Sequence, residues 1–99
     1  MKARTIFSTA TLLTLGAAGC AARTPAPVEL TNARVEVARA QHGPASQLDP
    51  AGVHEAQVAL ANAEKAWSDA PEDPNTIDLA VIAQVRAEIA ESHASTLQG

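Results

Sequence analysis

The chain has 99 residues and a net charge of −4, from 7 basic and 11 acidic side chains, which is enough for one small domain. This acidic balance argues against nucleic acid and against an anionic lipid surface as a partner. The single cysteine excludes an internal disulfide, and with one Trp, one Phe and no Tyr the chain lacks a platform on which bases or sugars could stack.

The first residues have the three parts of an export signal. Lys2 and Arg4 supply positive charge, the 15 residues from Thr5 to Gly19 carry no charge, and small residues precede a cleavage site. A helix of that length would span roughly 22 Å, against roughly 30 Å of bilayer hydrocarbon. We therefore predict a cleaved signal peptide rather than a permanent transmembrane helix.

The signal ends in Ala17-Ala18-Gly19-Cys20, which resembles the lipobox of bacterial lipoproteins. The resemblance implies cleavage between Gly19 and Cys20, so that residues 1–19 are the signal peptide. It also implies a diacylglycerol on the Cys20 thiol and a further acyl chain, such as palmitate, on the new amino group. Two or three acyl chains anchor a protein stably, whereas one does not. The alternative is an ordinary secretory signal, cut near Ala18 or Ala22.

The residues after Cys20 indicate where the mature protein would lie. Ala21 stands where an aspartate would favour the inner membrane of enteric bacteria, so we expect the outer membrane of a bacterial cell envelope, with the protein facing the periplasm. Loss of Lys2 and Arg4 takes the net charge from −4 to −6. Residues 20–27 would be the lipidated cysteine and a proline-containing tether, reaching roughly 20 Å at about 3.1 Å per residue.

Residues 28–99 are predicted to form one alanine-rich helical domain with an internal repeat. Residues 30–41 align with residues 53–64 after a shift of 23, which superimposes Ala33 on Ala56. Apolar residues recur every three, four or seven positions, as they do on one face of a helix. Alanine is the strongest helix former, and its small side chain lets neighbouring helices approach closely.

Proline and glycine mark the ends of three predicted helices. His42-Gly43-Pro44 ends the first, Asp49-Pro50 starts the second, and Asp73-Pro74 starts the third. The helices are predicted over about residues 28–42, 50–69 and 74–97. Because short connections favour antiparallel neighbours, we expect an all-α fold: a short up-down-up antiparallel bundle, or a helical hairpin plus a third helix.

The first two helices carry the predicted interaction face, through which they would pair with copies of themselves or with another envelope protein. Its members share heptad spacing: Leu30, Ala33, Val37, Ala40, Val53, Ala56, Leu60, Ala63 and Trp67. The predicted apolar face of the third helix is made of larger side chains: Ile77, Val81, Ile82, Val85 and Ile89. Large apolar residues are few, so self-association or a partner helix could supply further burial.

The first two helices also resemble the DUF4398 family of short, alanine-rich bacterial lipoprotein domains, from Val28 to about Ala66. The residues that carry the resemblance are Leu30-Thr-Asn-Ala33, Ala38-Arg-Ala40, His42-Gly43-Pro44 and Val53-His-Glu-Ala56 through Ala63. The family supplies no catalytic residues. Its members often continue into an OmpA-like domain that binds peptidoglycan, and nothing up to Gly99 resembles that domain. The chain is either a stand-alone module or one part of a longer product.

The two ends of the predicted bundle collect different side chains. One end would bring together His42, His54 and His93, which would permit a surface metal site, although no pair has the His-x-x-x-His spacing. Favourable charge at helix carboxyl ends is the stronger interpretation of His42 and His93, and we predict no metal. Trp67 would lie at the other end, where it plugs the bundle or rests among lipid headgroups.

The sequence favours a structural or protein-interaction module over an enzyme. The serines have no placed base, and the acidic residues are scattered rather than paired across a cleft. We predict no cofactor apart from the covalent lipid on Cys20. The alternative function is a periplasmic accessory protein that binds a metal or small ligand at the end with His42, His54 and His93.

Overall fold

The computed structural model describes residues 24–99, and the regular structure in that range is helical. Helix α1 spans Val28–His42, α2 spans Ala45–Leu48, α3 spans Pro50–Asp69 and α4 spans Asn75–Gln98. The prediction of an all-α fold is confirmed. The predicted signal peptide, the lipobox with Cys20 and the first part of the tether lie outside the described residues.

Helices α3 and α4 begin at Asp-Pro pairs, with different geometry. At α3 the Asp49 carboxylate accepts a hydrogen bond from the Gly52 N–H at 3.1 Å, and Pro50 occupies the first helical position. At α4 the helix begins one residue later than predicted, at Asn75. Asp73 still satisfies a free backbone donor there, because its carboxylate accepts from the Asn75 N–H at 2.9 Å.

A short helix, α2, occupies the link that the sequence predicts as a turn. Pro44 has helical angles (φ −59°, ψ −24°) and directly precedes the first residue, Ala45, which is 1% exposed. Gly43 ends α1 with extended angles (φ −105°, ψ −171°), so α1 does not use a left-handed glycine cap. The burial of Ala45 fixes the link against the three long helices.

The three long helices all contact one another, and their core consists mostly of alanine. One cluster joins the carboxyl halves of α1 and α4 to α2 and the amino half of α3: Val37, Ala40, Ala45, Val53, Ala56, Ala87, Ala90 and Ala94. The other joins the opposite halves: Leu30, Ala33, Ala59, Ala63, Ala80 and Ala83. Leu60 packs against both clusters, so the core is continuous along the helices.

The large residues predicted as the apolar face of α4 are not its buried residues. The buried residues of α4, here called the inner seam, are small and alternate in steps of four and three: Thr76, Ala80, Ala83, Ala87, Ala90 and Ala94. The large side chains, here called the outer stripe, are exposed by 38% to 60%: Ile77, Val81, Ile82, Val85 and Ile89. An alanine seam lets α1 and α3 approach closely, whereas β-branched side chains would hold the helix axes apart.

Candidate functional site

The interaction face predicted on α1 and α3 lies inside the molecule. Seven of its nine residues are buried at 6% exposure or less, and Leu60 and Trp67 are half-buried. These side chains pack against one another and against the inner seam of α4. The predicted face is therefore the core of one chain, and it is not available to a second molecule.

The outer stripe of α4 is an apolar surface that the fold leaves exposed. Val81, Val85 and Ile89 follow one another at intervals of four residues, with exposures of 42%, 44% and 60%. Together with Ile82 and Arg86 they line a shallow depression of about 350 Å³. Monomeric soluble proteins rarely expose large contiguous apolar patches, and such patches mark contact sites. The apolar face predicted for this helix consists of these five residues, and the structure leaves that face exposed.

A second depression, of about 500 Å³, runs between α3 and α4 beside the stripe. Val58, Ala59 and Leu79 are among the apolar residues that line it, and Val58 is 47% exposed. Across it an exposed ion pair joins Arg86 Nη1 to Glu55 Oε1 at 3.1 Å. Because both depressions include Ile82 and Arg86, the outer stripe continues into this groove.

The three histidines have separate surroundings. His42 Nδ1 lies 2.8 Å from the Ala38 carbonyl of its own helix, and His54 lines the groove between α3 and α4. His93 Nδ1 lies 3.1 Å from Asp49 Oδ2, which joins the end of α4 to the start of α3. This hydrogen bond, with the one from the Gly52 N–H, holds the pKa of Asp49 below its usual range.

Within residues 24–99 no three side chains among His, Cys, Asp and Glu are grouped as metal ligands. Binding of a metal or ligand at the histidine end stays a prediction. Zinc titration tests it, because a site built on His42, His54 and His93 would disappear when all three are changed to alanine.

At the other end of the bundle, Arg34 joins α1 to α3. Its guanidinium donates two hydrogen bonds to the Glu64 carboxylate, at 2.6 and 2.7 Å. The same group lies 5.5 Å from the centre of the Trp67 ring, in the range of a cation–π contact. The Glu64 hydrogen bond raises the pKa of Arg34, and in return it lowers the pKa of Glu64. Heptad spacing predicts that Trp67 belongs to an apolar face. It does not predict the contact of Trp67 with Arg34, which lies 33 positions away in the sequence.

Trp67 packs against the second core cluster and closes this end of the bundle. Its indole Nε1 is buried, with no hydrogen-bond partner among the described residues. With Thr24, Ser68 and Pro71 it lines a pocket of about 150 Å³, where the tether meets α3.

A carboxylate cluster between α1 and α4 was not predicted. Partial burial raises the pKa of Glu91, the Glu36 carboxylate raises it further, and Arg39 opposes the shift. Arg39 also forms an ion pair with Glu36 at 2.6 Å. No local sequence pattern predicts this cluster, because Glu36 and Glu91 become neighbours only when α1 and α4 pack together.

Residues 24–99 include no helix that combines the length and the hydropathy needed to cross a bilayer.

The architecture places the chain among small helical domains with an alanine core. The DUF4398 profile, described as a domain of unknown function, matches residues 28–98, and the chain belongs to this family. The match extends through α4, well beyond the residues near Ala66 where the sequence resemblance ends. No curated protein and no solved structure matches the chain significantly.

Proposed function

We propose that this protein is a non-enzymatic interaction module of the bacterial cell envelope, anchored by lipid at Cys20 and facing the periplasm. The outer stripe of α4 would be its contact surface. The observation that carries the proposal is the reversed arrangement of α4, with alanine inside and five large apolar side chains outside.

The cost of exposing these side chains supports a binding role. Each large aliphatic side chain gains about 1.5 to 3 kcal/mol on full burial, and the fold leaves part of this gain unused along the half-exposed outer stripe. A partner that covered the stripe would recover part of it. Glu55 and Arg86 form an ion pair across the groove beside the stripe, so the apolar surface has a polar border. An apolar centre with a polar rim is typical of protein–protein contacts.

We propose that α1, α3 and α4 form an up-down-up arrangement. The contacts that support it join opposite halves of neighbouring helices. Arg34, in the first half of α1, pairs with Glu64 in the second half of α3, and Asp49 at the start of α3 pairs with His93 near the end of α4. A tether that enters beside Trp67 would then orient the bundle with that end toward the membrane.

Site-specific photocrosslinking in cells that produce the full chain tests the contact surface. A photoreactive residue in place of Val85, on the outer stripe, is expected to give a discrete adduct at least tenfold more abundant than one in place of Asn32. Asn32 is the matched control, because it is exposed on α1, away from the stripe. Equal labelling at the two positions would remove the outer stripe as a contact surface.

Intact mass of the protein from its native envelope tests the anchor. We expect the mass of residues 20–99 plus two or three acyl chains, and the same preparation of a Cys20→Ser variant should lack the acyl mass. A chain that keeps an unmodified Cys20 would contradict lipid anchoring, while leaving the contact surface to be judged by the crosslinking result.

A further inference from the structure

Helix α4 carries two heptad series on opposite sides. The inner seam begins at Thr76, and a second series with the same steps of four and three begins two residues later: Asp78, Ile82, Val85, Ile89, Ser92 and Thr96. Two residues correspond to about 200° around a helix, so the second series, here called the outer seam, faces away from the core. It contains three of the five residues of the outer stripe, Ile82, Val85 and Ile89.

We propose that the outer seam pairs with the outer seam of a second copy of this chain, in parallel and in register, as a short two-stranded coiled coil. This inference rests on the proposed function, because it names the partner of the same surface. Ile82 and Ile89 occupy the first apolar position of the heptad and Val85 the second. β-Branched residues at the first position suit parallel pairs of helices.

Flanking side chains are compatible with this parallel alignment. In a parallel coiled coil, a residue just before the first apolar position lies beside the residue five positions later on the other helix. Glu88 of one copy would therefore lie beside His93 of the other, a carboxylate beside an imidazole. By the same rule the Arg86 stem would cover Val81 of the other copy. Both Arg86 and His93 are about half exposed in the single chain, at 49% and 54%.

Antiparallel alignments bring unfavourable pairs together. One register sets Ile89 opposite Val85, and it also brings Glu88 beside Glu88 and Arg86 beside Arg86 of the second copy. A second register, shifted by one heptad, sets Ile89 against the Asp78 carboxylate, and a shift in the other direction leaves Ile82 opposite Gly99, past the end of α4. Like charges that face each other and an unpaired carboxylate against an apolar side chain both cost free energy. In the parallel alignment the only like pair on the seam is Asp78 with itself, at the exposed first turn of α4.

Disulfide formation by a Ser92→Cys variant of the full chain tests both the partner and the direction. Ser92 is an exposed seam residue, and in the parallel pair it faces its own copy. In the first two antiparallel registers the copies of residue 92 would be roughly 15 or 25 Å apart along the axis, at 1.5 Å per residue. Disulfides need Cα atoms roughly 4.4 to 6.8 Å apart, so neither of these two registers would form one, whereas the parallel pair would.

Two controls accompany this test. Ser68→Cys makes the same chemical change at an exposed residue of α3, and the unmodified chain reports any disulfide through Cys20. We expect a covalent dimer from Ser92→Cys that is at least tenfold more abundant than from either control. We also expect Ile89→Lys to weaken dimerisation at least tenfold in sedimentation experiments with unchanged helix content, since Ile89 is 60% exposed in the single chain.

Other outcomes overturn the inference in distinguishable ways. A dimer in solution without the Ser92→Cys disulfide would mean a different direction or surface. A monomer at all concentrations, together with a photocrosslink from Val85 to a different protein, would reject self-pairing and leave the proposed function intact. A monomer with no specific crosslink from Val85 would reject both.

Discussion

At the scale of single residues, alanine determines how closely the long helices pack. The buried positions of α1, α3 and α4 include ten alanines: Ala33, Ala40, Ala56, Ala59, Ala63, Ala80, Ala83, Ala87, Ala90 and Ala94. An alanine side chain loses no rotamer freedom on burial and leaves a gap of only one methyl group between helices. Interiors are close-packed, so any added carbon at these positions must displace a neighbouring helix.

Ala87→Leu is expected to destabilise the protein by about 1 to 3 kcal/mol, because Ala87 is 0% exposed and three extra carbons cannot be accommodated in the seam. Urea denaturation followed by circular dichroism measures the loss. The matched control is Ala61→Leu, at an exposed alanine of α3, which should change the free energy of unfolding by less than about 0.5 kcal/mol. A neutral Ala87→Leu would mean that the alanine seam is not tightly packed.

Glu91→Gln is expected to raise the melting temperature at pH 7. The pKa of Glu91 is raised in the folded state, first by partial burial and then by Glu36, so its ionised form opposes folding. Lowering the pH through the raised folded pKa removes this cost, and the removal is complete below the ordinary value of 4.5. The advantage of the glutamine should therefore disappear below that pH.

Glu72→Gln, in the link between α3 and α4, removes the same charge from an exposed site and serves as the control. If both variants gain equally, the cause is the net charge of the chain and not the surroundings of Glu91.

At the scale of helices, Asp49 connects the start of α3 to the end of α4. Its carboxylate accepts the Gly52 N–H of α3 and lies 3.1 Å from His93 Nδ1 of α4. Because these contacts hold the pKa of Asp49 low, they stabilise the fold above its ordinary pKa and are lost as the pH falls through the lowered value.

Gly52 and Asp49 are expected to couple in a double-mutant cycle. A Cβ at residue 52 would overlap the Asp49 carboxylate, so this carboxylate must move in Gly52→Ala. The loss of the cap then offsets the higher helix propensity of alanine. In an Asp49→Ala background the same change should gain most of the roughly 1 kcal/mol by which alanine exceeds glycine in a helix. In the unmodified chain the gain should be clearly smaller. Thermal unfolding of the four proteins measures the difference, and equal gains in both backgrounds would contradict the cap geometry.

At the scale of the whole molecule, few large side chains hold the core together. Among the described residues, Leu30 and Val37 are the large aliphatic side chains with less than 2% exposure. Each belongs to a different cluster, and Leu60 joins the two. A domain of this size has a total stability of roughly 4 to 10 kcal/mol, so a single large deletion removes much of it.

Leu30→Ala is expected to cost about 2 to 5 kcal/mol and to leave a largely unfolded or strongly destabilised chain at 37 °C. Leu48→Ala is the control, because Leu48 is 39% exposed and its loss should be small. Melting curves of both variants check the expectation. A cooperative transition at the original temperature for Leu30→Ala would show that the two clusters do not depend on this side chain.

The long helices, and the residues that could form their faces, are predictable from local sequence. Helix propensity, the Asp49-Pro50 signal and the spacing of apolar residues are local properties, so α1, α3 and α4 could be predicted with small errors at their ends. The short helix α2 could not, because it depends on the burial of Ala45 against the other helices.

The side of α4 that faces the core depends on how the helices pack and could not be predicted from local sequence. Both sides have heptad spacing, and size alone favours burial of Ile82, Val85 and Ile89. The fold buries the alanine side instead, since two neighbouring helices can approach small side chains closely. The predicted interaction face of α1 and α3 packs against these alanines and forms the core, while the outer stripe stays exposed. Pairs such as Arg34 with Glu64 and Glu36 with Glu91 arise from that packing, which no local pattern encodes.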